Sequence, residues 1–242
     1  MPAPQPTALV IGAGDALGAA LARRFSREGL HIVATRRRGD LDPLLQSVRA
    51  LGGQATGIHS DAREEEQVVA LFERIEREIG PLEAVVYNVG GNVRFDLLDT
   101  TARVYRKVWE MCAFGGFLAT REATRHMLPR GRGTILLTGA TASLRGQAGF
   151  SAFAGGKHAL RALAQSAARE LGPQGLHVAH VVIDGPIDNE NTRAMFPQVF
   201  EERPEDGVLR PDDIAEIYGQ LHTQPRRAWT FEADVRTWVE RW

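Results

Sequence analysis

Ala8-Leu9-Val10-Ile11-Gly12-Ala13-Gly14-Asp15-Ala16-Leu17-Gly18 is the stretch on which the reading of this chain turns. Four apolar residues make a short buried strand, and glycines follow at 12, 14 and 18. An amphipathic run over residues 15–28 then reads as a helix. A turn between strand and helix needs glycine where the backbone must come close to a pyrophosphate. The N-terminus of the next helix then supplies free N–H groups and a positive dipole end. Tight β-to-α turns also use glycine with no ligand present, so the motif gains its meaning from its place in the chain. Asp15 has an independent role open to it, as an acid in the first helical turn.

Outward from this stretch, strands and helices alternate. Residues 31–35 read as a second strand, 41–51 as a helix closed by Gly52 and Gly53, and 54–59 as a third strand. A charged amphipathic helix over 61–79 stops at Gly80-Pro81. Strands follow at 83–87, 133–138 and 177–183, with helices over about 101–127 and 150–171. From 184 to 210 the chain is irregular and rich in Pro, Asn and Asp, and a short helix (211–221) leads to a tail carrying Trp229, Phe231, Trp238 and Trp242. Six β-then-α units whose strands are continuously apolar predict a parallel sheet covered on both faces. With no linker, repeat or low-complexity tract in the way, residues 1–242 are expected to form one α/β domain.

A net charge of −1 gives no electrostatic reason to expect nucleic acid or an acidic membrane as partner. The single cysteine, Cys112, excludes an internal disulfide framework and a Cys-rich metal site, and the seven histidines show no HExxH spacing. No metal is expected. The opening residues MPAPQPT have neither a charged nor an apolar leader region, and no apolar run approaches the ~20 residues that span a bilayer. The expectation is a soluble, cytoplasmic protein.

A second informative stretch is Phe153-Ala154-Gly155-Gly156-Lys157. Residues four apart share one helix face, so Phe153 and Lys157 point the same way. In this spacing, and along most of its length, the chain resembles the short-chain dehydrogenase/reductase family. Gly12 and Gly18 match the outer glycines of the family turn TGxxxGxG, Ala16 replaces the middle one, and Gly14 lies two residues earlier. Tyr87-Asn88-Val89-Gly90 is similar to the family segment NNAG, and Asp61 matches the aspartate that contacts adenine. Taken alone, Asp61 with Glu64 reads as a capping box and Asn88 as a turn residue. The resemblance implies a Rossmann-like, doubly wound sheet of about seven strands in the order 3-2-1-4-5-6-7. It places a nicotinamide cofactor on Gly12, Gly14, Leu17, Gly18, Asp61, Ala62, Asn88, Gly90, Lys157, Gly185 and Ile187.

The second strand ends Thr35-Arg36-Arg37-Arg38 rather than at an acid. Guanidinium groups suit a ribose 2′-phosphate through charge-assisted bonds, whereas a carboxylate suits the 2′-hydroxyl. NADP(H) is therefore expected over NAD(H), with Arg36 or Arg37 on the phosphate. A solvated basic loop would have the same composition.

The family's active site is an Asn, a Ser, a Tyr and a Lys. The aligned positions here are Cys112, Ala140, Phe153 and Lys157, and only the lysine survives. The tyrosine hydroxyl is the proton donor, a contribution of roughly 10²–10⁴-fold or about 3–5 kcal/mol of barrier. Phe153 has no proton to give. Substitutes nearby are Thr141, one residue beyond the serine position, and Asp184, where the family has proline before Gly185. Asn92 and Arg94 are placed to reach the same cleft, and Thr192 resembles the threonine that bonds the carboxamide. His158 is turned about 100° from Lys157, and Cys112 reads as a buried small residue. A substrate-capping loop is expected near 189–210, with Met195, Phe196, Val199 and Phe200 as its lining or as a small amphipathic helix.

Family members join through the two long helices and the C-terminal strand, so a homodimer or homotetramer is expected. Leu160, Ala164, Ala167 and Leu171 line up along one such helix; the aromatic tail could equally tuck against its own subunit. Three activities fit. One is an NADP(H)-dependent oxidoreductase acting on a carbonyl, alcohol or activated C=C of a small molecule, with a non-standard proton donor. Another is a cofactor-binding sensor, scaffold or partner subunit without turnover. The last is a lyase or isomerase using the same pocket.

Overall fold

The computed structural model describes residues 5–241, apart from the side chains of Asn191 and Met195. Strands and helices alternate as β1 (Thr7–Ile11), α1 (Leu17–Ser26), β2 (His31–Arg36), α2 (Asp42–Arg49), β3 (Ala55–His59) and α3 (Glu65–Arg74). Then come β4 (Leu82–Tyr87), α4 (Ala102–Trp109), α5 (Gly115–Met127), β5 (Gly133–Thr138), α6 (Ser151–Leu171) and β6 (Leu176–Asp184). Two short helices, α7 (Glu190–Met195) and α8 (Pro197–Glu202), precede α9 (Pro211–His222) and β7 (Glu232–Arg236). The seven strands form one sheet in the order 3-2-1-4-5-6-7. Every neighbouring pair is parallel.

Chain direction across the sheet reverses between β1 and β4, whose last residues, Ile11 and Tyr87, are register partners. The loops after these two strands therefore diverge and leave a crevice at the carboxyl edge, where ligands of such sheets bind. Both faces of the sheet are covered. Val10, Val86 and Leu136 pack with Phe25 of α1 and Tyr218 of α9 on one side. Leu9, Val85 and Ile135 pack with Phe72 of α3, Leu118 of α5 and Leu160 of α6 on the other. Each such side chain contributes about 1.5–3 kcal/mol by leaving water, so the crevice stands on a rigid base.

Several boundaries differ from the pattern in the sequence. Helix α1 starts at Leu17, because Asp15 stays in the glycine turn and pairs with Arg36 instead of entering a first helical turn. The helix expected over 61–79 begins at Glu65 and ends in a π-turn (Ile75–Ile79). No capping box forms there, since Asp61 is held by Arg63. A second π-turn, Glu110–Phe114, interrupts the long helix between α4 and α5. The buried Tyr87 hydroxyl donates to the Met111 carbonyl in that turn (2.5 Å), giving one of the loosened backbone acceptors a partner. Leu160, Ala164, Ala167 and Leu171 face this chain's own sheet and are buried in its core, so they do not form a surface for a second subunit. Trp229 stacks on His177 with ring centroids 4.9 Å apart, which ties the tail to β6. Residues 1–4, Trp242 and the Met195 side chain lie outside the described part. Among the described residues no helix is long and apolar enough to cross a membrane.

Candidate active site

The glycine turn is shaped by close approach to β4. Gly12 has φ +83°, and a Cβ there would sit 2.6 Å from the Asn88 carbonyl oxygen. Asn88 closes the contact, donating its backbone N–H to Ile11 (2.8 Å) and its side-chain amide to the Gly12 carbonyl (3.1 Å). A Cβ on Gly18 would meet the Ala13 backbone at 2.6 Å, so this glycine lets α1 seat against the turn. Gly14 is different: nothing lies within 4 Å of its absent Cβ. It borders a groove of about 1020 Å³ that Gly12, Leu17, Gly18, Asn88 and Gly90 also line. Helix α1 has no side-chain cap; Ala19 donates to the Gly14 carbonyl (2.9 Å), which leaves the N–H groups of Leu17 and Gly18 for an anion. Asp188 and, from the expected capping loop, Asn189 and Glu190 line the same groove.

At one end of the groove a smaller cavity of about 150 Å³ is lined by Arg36, Arg37, Asp61, Ala62 and Arg63. Asp61 is gripped by Arg63 through Nε at 2.9 Å and Nη2 at 2.6 Å. Those bonds hold its carboxyl below the usual aspartate value despite partial burial. Arg36 is clamped to Asp15 at 2.8 Å. Arg37 is half exposed, and its nearest carboxylate, Asp61, is 3.8 Å away. Arg63 is a site residue that the sequence reading missed; its one signal is the i+2 spacing from Asp61.

At the other end Lys157 rises from α6 into a cavity of about 340 Å³, shared with Asn88, Gly90, Asn92, Gly185 and Ile187. The lysine is only 3 % exposed. Its ammonium donates to the Thr138 carbonyl at 2.7 Å and the Val89 carbonyl at 3.2 Å, bridging the ends of β5 and β4. An ammonium has three donors, which leaves one for the cavity. Burial pushes the Lys157 value down, with the nearby Cys112 thiol acting the other way.

Phe153, one helical turn before Lys157, walls both this cavity and an adjoining one of about 270 Å³. Ala140, Ile183 and Gly185 are shared as well, so the two form one cleft. In the adjoining part the Thr141 hydroxyl donates to Asp184 Oδ1. Asp184 is the last residue of β6 and is buried. Guanidinium groups of Arg236 at 3.4 Å and Arg145 at 3.7 Å flank its other oxygen.

The remaining candidates are elsewhere. Cys112 is fully buried, with its Cβ 2.9 Å from where a Cβ on Gly156 would be. His158 is exposed and bonds its own helix at the Ala154 carbonyl (2.9 Å). Arg94 lies over the Phe150 ring, 6.0 Å from its centroid. Thr192 is tied to Asn189 at the start of α7. Like Arg63, the residues Arg145, Arg236 and Glu240 were not singled out by the sequence pattern.

A family model described as short chain dehydrogenase matches residues 6–199. The chain belongs to the short-chain dehydrogenase family. The crystal structure of a short-chain dehydrogenase from Rhodopseudomonas palustris is 45% identical, with a TM-score of 0.82 over 96% of this chain and 98% of that one. A short-chain dehydrogenase/reductase of Armillaria gallica is 30% identical over 184 residues, 74% of this chain and 70% of its own length. The structure of a metagenomic short-chain oxidoreductase in complex with NADP shares the fold, with a TM-score of 0.82 at 23% identity over 98% of this chain and 99% of that one.

This short-chain dehydrogenase is accordingly an oxidoreductase by family. Its residues fit a dinucleotide: the groove is open where Gly14 borders it, uncapped N–H groups face it, and a buried lysine with a spare donor closes its far end.

Proposed function

We propose that this short-chain dehydrogenase uses NADP(H) to interconvert a small carbonyl compound and its alcohol, with the Thr141–Asp184 pair handling the proton. The observation that carries the reading is that hydrogen-bonded pair, which lines the same cavity as Phe153, the residue aligned with the family's tyrosine. NADPH would supply the hydride to the carbonyl carbon. In oxidation the Thr141 hydroxyl passes its proton to the Asp184 carboxylate while taking one from the substrate hydroxyl, in the sense of the hydrogen bond present. In reduction the protonated acid returns it by the same route. Lys157 holds the ribose and orders the strand ends through its two carbonyl bonds. NADP(H) over NAD(H) is supported by the three guanidiniums at the small cavity, where Arg37 is the least committed.

The test is titration of NADPH and NADH against the protein, then NADPH oxidation with a panel of small ketones and aldehydes. Tighter NADPH binding and turnover that Lys157→Ala lowers are expected. Failure to bind either nucleotide would overturn the reading.

A cofactor-binding protein without turnover is favoured by one observation, the joint replacement of the proton-handling positions by Cys112, Ala140 and Phe153. On that reading the wild type shows tight NADPH binding and no turnover, and Phe153→Tyr with Ala140→Ser gains reductase activity. A homo-oligomer is supported by the stacked strip Trp109, Phe114 and Phe117 at the α4–α5 junction, where Trp109 and Phe117 are both exposed. Light scattering showing only a monomer would refute it.

A further inference from the structure

The charges in the substrate half of the cleft are unevenly committed. Asp184 is held by the Thr141 hydroxyl and flanked by two guanidiniums. Glu240 accepts from Arg203 at 2.7 Å, and Arg236 also grips Asp234. Arg145 stands apart. Its nearest carboxylate oxygen is the Asp184 Oδ2 at 3.7 Å, beyond hydrogen-bond length, and its side chain is 37% exposed while lining the cavity. A guanidinium offers five donors in a planar fork that matches a carboxylate in bidentate fashion.

We propose that Arg145 anchors a carboxylate of the substrate, so that the reacting molecule is a small oxo acid or the matching hydroxy acid. This rests on the oxidoreductase reading for the reacting carbonyl, whereas the anchor itself is a statement about binding. The backbone N–H of Arg145 donates to the Thr141 carbonyl at 3.1 Å, so anchor and proton pair rise from one turn. One end of a short molecule can therefore meet Arg145 while a carbonyl further along meets Thr141. Phe150 and Phe153 give an apolar wall for the carbons between. The space of about 270 Å³ limits the occupant to a small molecule.

A phosphate dianion is disfavoured because Asp184 and Glu240 line the same cavity and repel the second charge. An ammonium is disfavoured because both of those carboxylates already have guanidinium partners.

The experiment measures calorimetric binding to the NADPH-saturated protein of pyruvate, acetoacetate and levulinate, each against its methyl ester, with aminoacetone as the cationic probe. Turnover is followed in parallel. At least one acid is expected to bind more tightly than its ester by about tenfold to a hundredfold, the range of a charge-assisted hydrogen bond. Arg145→Gln should bring that ratio toward one, and Arg145→Lys should keep part of it. A purely structural arginine would change acid and ester alike and leave the ratio intact. Equal binding of acid and ester, tighter binding of aminoacetone, no binding of any acid, or an unchanged ratio in Arg145→Gln would overturn the proposal. Tight acid binding without turnover would leave the anchor standing and remove the oxidoreductase reading alone.

Discussion

If Thr141 and Asp184 form one proton path, removing either should cost nearly as much as removing both. The informative perturbations are Thr141→Val, Asp184→Asn and the double variant. Each single change deletes the acid–base function, a loss of roughly 10²–10⁴-fold in kcat, or about 3–5 kcal/mol of barrier. Groups acting as a unit are non-additive, so the double variant should fall within about threefold of the worse single one. Independent groups would instead add their losses, to about 6–10 kcal/mol.

The folded state should survive these changes. Asp184→Asn keeps an acceptor for the Thr141 hydroxyl, Arg236 retains Asp234, and Arg145 is partly in water. The stability loss should be about 1–2 kcal/mol. Thr141→Val preserves volume and deprives Asp184 of one charge-assisted bond, worth about 1.5–3 kcal/mol. The assay is single-turnover oxidation of bound NADPH by a substrate from the ketone panel, with a thermal melt of each variant. Additive losses in the double variant, or a Thr141→Val enzyme as fast as wild type, would refute the shared path.

Gly12→Ala should lose stability, because φ +83° strains any side chain and the new Cβ would meet the Asn88 oxygen at 2.6 Å; the strain alone costs about 1–2 kcal/mol. Gly14→Ala has open space and should melt like wild type while binding NADPH more weakly, and equal melts for the two variants would count against this reading of the turn. Arg36→Asp and Arg37→Asp should weaken NADPH binding by about 10–100-fold with little loss for NADH, and an unchanged preference in both would remove the phosphate assignment. His180 is buried on β6 and is held at about 4, below the free value of 6.5, chiefly by burial and despite its bond to Glu232. Between those values the unfolded chain takes up a proton that the folded chain refuses, so stability rises with pH through this window. Acidification from 6.5 toward 4 should cost up to about 3 kcal/mol through this residue. Urea melts of His180→Gln should show a flatter dependence over the same range, and an unchanged slope would assign the acid sensitivity elsewhere.

The sheet was legible because its strands are continuous apolar runs punctuated by glycine turns and amphipathic helices, a pattern local enough to read along the chain. The groove beside the glycine turn was legible for the same reason. Gly12, Gly18, Asn88 and Lys157 sit at strand ends or at fixed spacing on one helix, and the register of Ile11 with Tyr87 brings those ends together. What local pattern missed was set by contacts between distant segments. The seventh strand hides in an aromatic tail, since Glu232–Arg236 becomes a strand only by pairing with β6.

The helix stripe on α6 shows the same limit from the other side. Leu160, Ala164, Ala167 and Leu171 have the right spacing for a packing face, but spacing does not say whether a sheet or another subunit covers it. Asp184 and Thr141 were separate candidates, 43 positions apart, and only the adjacency of β5 and β6 makes them a hydrogen-bonded pair. Arg145 and Arg236 carried no motif at all; they converge on Asp184 because a loop and the edge strand close over the carboxyl end of β6. The amino-acid sequence alone carried six of the seven strands and the resemblance to the family, since apolar runs, glycine turns and the Phe153–Lys157 spacing are all local. Tertiary structure decided which polar atoms share the cleft with Phe153 and Lys157, since that depends on which segments the sheet brings side by side.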